Sequence, residues 1–265
     1  MNAPNDLVLA AAGVELDLGS RRVLDGATLK VRGGRISLLA GRNGAGKTTM
    51  LSVLAGLKRP ARGRVTLQGV DVHALSARER ARRIAWIPQD LESPFEFTGR
   101  EIVTMGRHPF IGRFSGPSAA DHEAVDAALE RVDAMDFASR SVRTLSGGER
   151  RRIAVARALA TGAPVLLADE PTGDLDLEHA LQLLQLFVGL ARSGCAVLLT
   201  SHDLNLVGPW VDRAALLHEG RIVAEGAALE ALAPERIETV FRVRAEDPDG
   251  YFPRAFRPLG PGGGR

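Results

Sequence analysis

The chain has 265 residues, of which 45% are hydrophobic and 25% charged, the balance of an ordinary globular protein long enough to bury a sizeable core. Its 34 Lys and Arg against 32 Asp and Glu leave a net charge of +2, which offers no compositional case for nucleic-acid binding. One cysteine, Cys195, excludes an internal disulfide framework and a Cys-rich zinc site, and no apolar run reaches the ~20 residues that span a bilayer.

The first 18 residues place an acidic residue before a short apolar run and lack a basic segment, so they do not read as a secretion signal, and the expected compartment is the cytosol. Residues 7–40 read as short strands broken by glycine turns, with Gly33–Gly34 as a hairpin-like break and Ile36–Ala40 as a compact apolar strand. A Gly-rich loop follows, then a helix over Thr48–Leu57, a strand over Gly63–Gly69, a polar helix over 76–83 with Ser76 as its N-cap, and a strand, Ile84–Ile87, stopped by Pro88. From about Asp90 to Gly162 helical patterns take over: Ala119–Val132 sets Ala124, Ala128, Leu129 and Val132 on one face, and Ile153–Leu159 repeats the pattern. Strands return at Val165–Ala168 and Ala196–Thr200 around a helix, His179–Arg192, an order that implies a parallel sheet. A hairpin is expected over 215–226 around Glu219–Gly220, helix resumes at Ala227, and 258–265 is a low-complexity tail. Cys195 opens the apolar run Cys195–Leu199 and reads as a buried, inert thiol. The layout is an α/β core interrupted by a helical insert.

Residues 41–48, GRNGAGKT, fit the phosphate-binding pattern G-x-x-x-x-G-K-[ST] between a strand and a helix. Glycines let successive backbone N–H groups of Gly41, Asn43, Gly44, Ala45 and Gly46 wrap a polyphosphate, and the helix N-terminus adds its positive dipole end. Lys47 reaches the β- and γ-phosphates, the Thr48 hydroxyl is a Mg²⁺ ligand, and Thr49 joins the contacting set. The strand Val165–Ala168 ends in Asp169 and Glu170, which reads either as a solvated turn or as a catalytic pair, Asp169 in the Mg²⁺ shell and Glu170 polarising a water. His202, after the strand ending at Thr200, reads either as structural or as a hydrogen-bond donor near the γ-phosphate. The other five histidines show no metal-ligand spacing.

Together with Leu145–Glu149, LSGGE, these residues resemble the ATP-binding subunit of an ABC transporter, whose signature is LSGGQ. The motifs occur in the family's order: phosphate loop 41–48, Q-loop Gln89, signature, acidic pair Asp169–Glu170, D-loop Gly173–Asp176 and switch His202. The resemblance implies an α/β fold, a P-loop ABC ATPase core of mixed sheet with a parallel centre and an antiparallel β subdomain, plus an inserted helical subdomain. It implies one domain over 7–245, with the core at about 7–89 and 163–230, the helical subdomain at about 90–162, and a partly flexible tail at 246–265. ATP and Mg²⁺ are the implied cofactors. Catalysis falls to Glu170, His202 and Gln89, the metal to Thr48, Gln89 and Asp169. Ser146, Gly147 and Gly148 would serve the nucleotide of a second ATP-binding subunit, so that two copies close head-to-tail over two ATP. A separate integral-membrane permease is the implied partner, a periplasmic or lipoprotein solute-binding protein is reached only indirectly, and no nucleic acid is involved. The implied place is the cytoplasmic face of the membrane.

Three features qualify the resemblance. The family stacks adenine on an aromatic residue before the first hairpin, whereas here the aligned place is Leu18 and no Phe, Tyr or Trp precedes Trp86. The signature ends in Glu149, and Arg150–Arg152 reads as a solvated helix face rather than a nucleic-acid patch. Within the family, REIVTMGRHPF at 100–110, HDLN at 202–205 and PERIETVF at 234–241 resemble importers of iron–siderophores, haem and cobalamin, and Pro109 and Phe110 stand in a loop suited to receive a permease helix. Another importer or an exporter shares the catalytic motifs. A DNA-repair ATPase fits less well, because only 55 residues separate Gln89 from Leu145 and they carry no sustained heptads, and a ribosomal one because those members carry two cassettes in one chain where one is seen here.

Overall fold

The computed structural model describes residues 7–91, 95–112, 114–246 and 255–258. Strands β1 (Leu7–Leu18), β2 (Arg21–Arg32), β3 (Ile36–Ala40), helix α1 (Lys47–Leu54), β4 (Arg62–Leu67), β5 (Val70–Asp71), α2 (Ala77–Arg83) and β6 (Ile84–Ile87) make the first half of the core. Helices α3 (Gly99–Met105), α4 (Ala119–Glu130) and α5 (Gly147–Ala160) follow. The core resumes with β7 (Val165–Ala168), α6 (Leu177–Arg192), β8 (Ala196–Thr200), α7 (Leu204–Val207), β9 (Arg213–His218), β10 (Arg221–Ala227), α8 (Ala228–Ala231) and α9 (Pro234–Phe241). A final pair, β11 (Val243–Glu246) and β12 (Ala255–Pro258), is antiparallel, so a strand lies within the span read as a tail; 259–265 lie outside the described residues.

Two sheets carry the core. One is antiparallel, in the order β2-β1-β4-β5; the other is mixed, in the order β10-β9-β3-β8-β7-β6, with only β10 antiparallel to its neighbour. The Gly33–Gly34 break is therefore no hairpin: the chain leaves one sheet at β2 and enters the other at β3. The central strands β3, β7 and β8 are buried throughout and apolar but for Ser37 and Thr200, because both faces are covered. Leu166 and Ala168 face the layer built by α6, where Leu184 and Phe187 are fully buried, while Val165 and Leu167 face α1 and the antiparallel sheet. Glu219 and Gly220, both at positive φ, make the two-residue turn between β9 and β10.

The helices between β6 and β7 have their own core. Ile102 and Val103 of α3, Val125 and Leu129 of α4 and Ile153 of α5 meet there. Val125, rather than Ala124, takes the buried place on α4. α5 starts six residues before the apolar pattern at Ile153 because Ser146 caps it. α3 lies so close to α5 that a Cβ on Gly106 would sit 2.3 Å from the Arg157 carbonyl oxygen, which reserves that position for glycine. Asp121 ties the group together: it caps α4 through Ser118 and pairs with Arg107, which also donates to the Ala160 carbonyl. The Ser118 hydrogen bonds, with Arg107 assisting, hold the Asp121 carboxyl down at about 2.

Candidate functional site

Strands β3, β6, β7 and β8 are parallel, so their carboxyl ends lie along one edge of the sheet, where ligands bind in open α/β folds. Each end contributes one segment: Gly41–Thr49 after β3, Pro88–Gln89 after β6, Asp169–Glu170 after β7 and Ser201–His202 after β8. A cavity of about 580 Å³ opens between them. Asn43, Gly44, Gly46, Lys47, Thr48 and Thr49 line its floor. Gln89, Glu170 and His202 line the far side, and Arg21 and Val23 of β2 the near side.

The loop geometry follows from its glycines. A Cβ on Gly41 would lie 2.4 Å from the Leu217 carbonyl oxygen, and Gly46 adopts φ +106° against Val23. Gly41 and Ala45 are buried beneath the loop and support it rather than line the cavity. Lys47 opens α1, a helix N-terminus whose first N–H groups are free to bind an anion. Only 7% of Lys47 is exposed, and its Nζ donates to the Gly41 carbonyl at 3.0 Å and lies 3.7 Å from Glu170 Oε1.

The acidic pair is braced by a residue the sequence reading missed. Thr200, the fully buried last residue of β8, donates its hydroxyl to Asp169 Oδ1 at 2.7 Å and accepts the Glu170 N–H at 2.8 Å. A polar residue ending an apolar strand two places before His202 was the available signal. Glu170 sits at φ +45°, which turns the chain sharply after β7 and aims its carboxylate at the cavity. Its Oε2 lies 2.7 Å from His202 Nδ1. Asp169 is 1% exposed, and its Oδ2 is buried without a hydrogen-bond partner. An orphaned carboxylate oxygen normally costs free energy; Asp169 itself does not line the cavity, but its neighbour Glu170, Thr48 and Gln89 do, and a buried unpaired carboxylate oxygen next to such a set has the donor chemistry of a hard divalent cation with oxygen ligands such as Mg²⁺.

The signature lies apart from this cavity. Ser146 caps α5, and Gly147 and Gly148 form its first turn, but none of the three lines the cavity of the same chain. They stand beside the D-loop: a Cβ on Gly147 would meet the Asp174 side chain at 3.3 Å, and Asp174 is at φ +60°. The Glu at the motif's last place completes a capping box, accepting the Ser146 N–H at 2.7 Å and pairing with Arg140 at 2.9 Å. The Ser146 N–H holds the Glu149 carboxyl below its ordinary range.

The arginine run is not a solvated face. Arg150 donates to the Leu145 carbonyl at 2.5 Å, Arg152 donates to the Asp133 carbonyl at 2.8 Å, and Arg151 is only 6% exposed. The register of α5 turns Arg151 inward, where its Nη1 donates to the Pro88 carbonyl at 2.8 Å just before the Q-loop Gln89. Burial lowers its pKa, opposed by Asp174, Asp90, Asp169 and Glu170, so this guanidinium is the counter-charge to the carboxylates around the site. Arg151→Ala is expected to lower stability by ~1–3 kcal/mol, because a buried carbonyl loses its donor and four acids lose a nearby cation; urea denaturation of the two proteins measures it. Cys195 is half-buried, and burial pushes its thiol up to about 11, consistent with an inert group. Leu18 is 44% exposed and absent from the cavity wall.

Residues 24–173 match the ABC transporter family. The chain belongs to that family. Among its relatives, the hemin import ATP-binding protein of Streptomyces coelicolor is 43% identical over 251 residues, covering 95% of this chain and 88% of the relative. The cobalamin import ATP-binding protein of Halobacterium salinarum is 42% identical over 239 residues, covering 90% of this chain; the match spans only 60% of that relative's length. Among solved structures, a metal-chelate type ABC transporter in an inward-facing conformation superposes with a TM-score of 0.79 at 27% identity, covering 96% of this chain and 98% of the other. A dimeric ATP-binding cassette in a post-hydrolysis state, bound to ADP and inorganic phosphate, superposes with a TM-score of 0.74 at 26% identity, covering 83% and 98%. In this ABC family chain, no helix among the described residues is long and apolar enough to cross a membrane.

Proposed function

We propose that this chain is the ATP-hydrolysing subunit of an ABC importer. It works as a homodimer on a separate integral-membrane permease, at the cytoplasmic face of the membrane, and its cargo is an iron–siderophore, haem or cobalamin. The observation that carries the reading is the single cavity onto which Lys47, Thr48, Gln89, Glu170 and His202 all open. The relatives named for hemin and cobalamin import support the cargo class.

ATP binds with its β- and γ-phosphates against the Lys47 ammonium and the N–H groups of residues 43–49. Mg²⁺, when bound, offsets the phosphate charge, and Thr48 Oγ1, Asp169 Oδ2 and the Gln89 side chain are the groups to hold it or its water. Glu170 takes a proton from a water whose oxygen attacks the γ-phosphorus; the bond to the β–γ bridging oxygen breaks, and ADP leaves with that electron pair. His202 orients Glu170 and donates to the transferring phosphoryl group. Ser146, Gly147 and Gly148 face the nucleotide of the second subunit, a reading supported by their absence from the lining of their own chain's cavity and by the dimeric cassette.

A groove of about 360 Å³ between the core and the inserted helices is the proposed permease seat. Leu57, Trp86, Met105 and Pro109 line it, with Arg157 at one wall. Arg78 and Arg82 both donate to the Pro109 carbonyl at 2.7 Å, and Arg82 and Arg107 cover the Phe110 ring, so the loop at one rim is held rigid. A solute-binding protein is reached only through the permease.

Co-expression with candidate integral-membrane permeases tests the whole reading. The expected result is a copurifying complex that takes up an iron chelate, haem or cobalamin in an ATP-dependent way. Transport of an unrelated solute would overturn the cargo class, and outward transport would make the chain an exporter subunit.

A further inference from the structure

The near wall of the cavity contains a cation with no assigned task. Arg21 and Arg22 are adjacent in β2 but differ in their surroundings. Arg22 is bound on three sides, to Glu15 at 2.9 Å, Asp17 at 3.0 Å and Asp25 at 3.5 Å. The Arg21 side chain has no hydrogen bond or ion pair among the described residues, and Arg21 is exposed and lines the cavity. Its place relative to the phosphate end is set by Val23, which packs against Gly46. Arg21 lies two residue steps along β2 from Val23, a rise of at most about 6.6 Å. That is the scale on which a nucleoside extends beyond its phosphates.

Pairing irregularity explains the exposure of this side chain to the cavity. Leu16 pairs with Leu24 and Asp17 with Arg22, so Val23 is an extra residue in β2. A bulge of this kind re-aims the flanking side chains. Leu18 pairs with Arg21 from β1 and does not line the cavity. No aromatic residue lines the cavity among the described residues. A guanidinium is planar and stacks on a base face much as an aromatic ring does.

We propose that Arg21 is the platform on which the nucleobase stacks in this chain, taking the place of the aromatic residue that Leu18 lacks, and that the site consequently reads the presence of a base rather than its edges. The inference rests on the reading of the cavity as a nucleotide site. A stacking plane meets any purine face, while discrimination between purines needs donors and acceptors on the base edge. ATP and GTP therefore bind with affinities within a few-fold of each other.

Steady-state hydrolysis and competition on the full chain test it. Arg21→Ala is expected to raise KM for ATP and for GTP alike by about five- to thirty-fold, with kcat within two-fold, on the scale of base stacking. Leu18→Ala should leave both within about two-fold. Magnesium tripolyphosphate, which has no base, should compete equally well against the native chain and Arg21→Ala. Arg21→Lys keeps the charge but loses the plane, and should behave like Arg21→Ala. Equal weakening of tripolyphosphate, or full recovery with Arg21→Lys, would mean that Arg21 acts on the phosphates by charge, and would overturn the proposal. An unchanged KM in Arg21→Ala overturns it as well, while an unchanged affinity in Lys47→Ala would instead remove the nucleotide reading beneath it.

Discussion

Glu170→Gln is expected to stop ATP turnover while leaving ATP bound and two chains held together. The substitution keeps the shape of the side chain. It also keeps the Glu170 N–H bond to Thr200, which is a backbone contact, and an acceptor for His202. What it removes is the ability to take a proton from water, because an amide is not a base at neutral pH. Loss of a positioned general base lowers rate by about 10²–10⁴-fold. Binding is a different matter. In the proposed complex the phosphates are held by Lys47, the loop N–H groups and the second subunit's signature, and none of these depends on the proton acceptor. Loss of the carboxylate even releases Lys47 from the contact at 3.7 Å and leaves it wholly available to phosphate. Phosphate release measures the first part, and size-exclusion chromatography with MgATP the second. Turnover near the native rate would remove Glu170 as the base.

Lys47→Ala is expected to weaken ATP binding itself, by about 10–150-fold, the worth of a charge-assisted hydrogen bond to phosphate. Lys47 is nearly buried and held by the Gly41 carbonyl, so its ammonium is preorganised and little ordering entropy is lost when phosphate arrives. Alanine also leaves the Gly41 carbonyl and Glu170 without this cation. The effects on binding and on stability are separable. Calorimetric titration with ATP reads the affinity, and thermal unfolding without nucleotide reads the fold. An affinity within two-fold of native, in a chain that unfolds normally, would refute the phosphate role.

The phosphate loop and the signature were legible because each is contiguous. Their chemistry is carried by neighbouring backbone N–H groups, so eight or five successive residues contain most of the information. The central strands were legible for a related reason. Burial on both faces writes a nearly continuous apolar run, as in Ile36–Ala40, broken by Ser37, and Ala196–Leu199, which Thr200 ends. The Gly33–Gly34 step was misread as a hairpin because glycine marks a change of direction without saying which sheet the next strand joins.

What the sequence by itself determined is the family, the order of the motifs and the kinds of group available at each strand end. The tertiary structure alone decided which groups meet. Thr200 and Asp169 are 31 residues apart and touch because β7 and β8 are parallel neighbours. Arg151 looked like one of three surface arginines until the packing of α5 turned it toward Pro88 and the acids. Arg21 differs from Arg22 through the pairing and bulge of β2, which hand one guanidinium to Glu15 and Asp17 of β1 and Asp25 of β2 and the other to the cavity. Ser146, Gly147 and Gly148 are complete as a motif but lie outside the cavity of their own chain, a separation that no spacing in the sequence could express. The reason is common to all four. Local patterns encode backbone conformation and burial, whereas contacts across the sheet depend on strand order and register, which the whole core settles cooperatively.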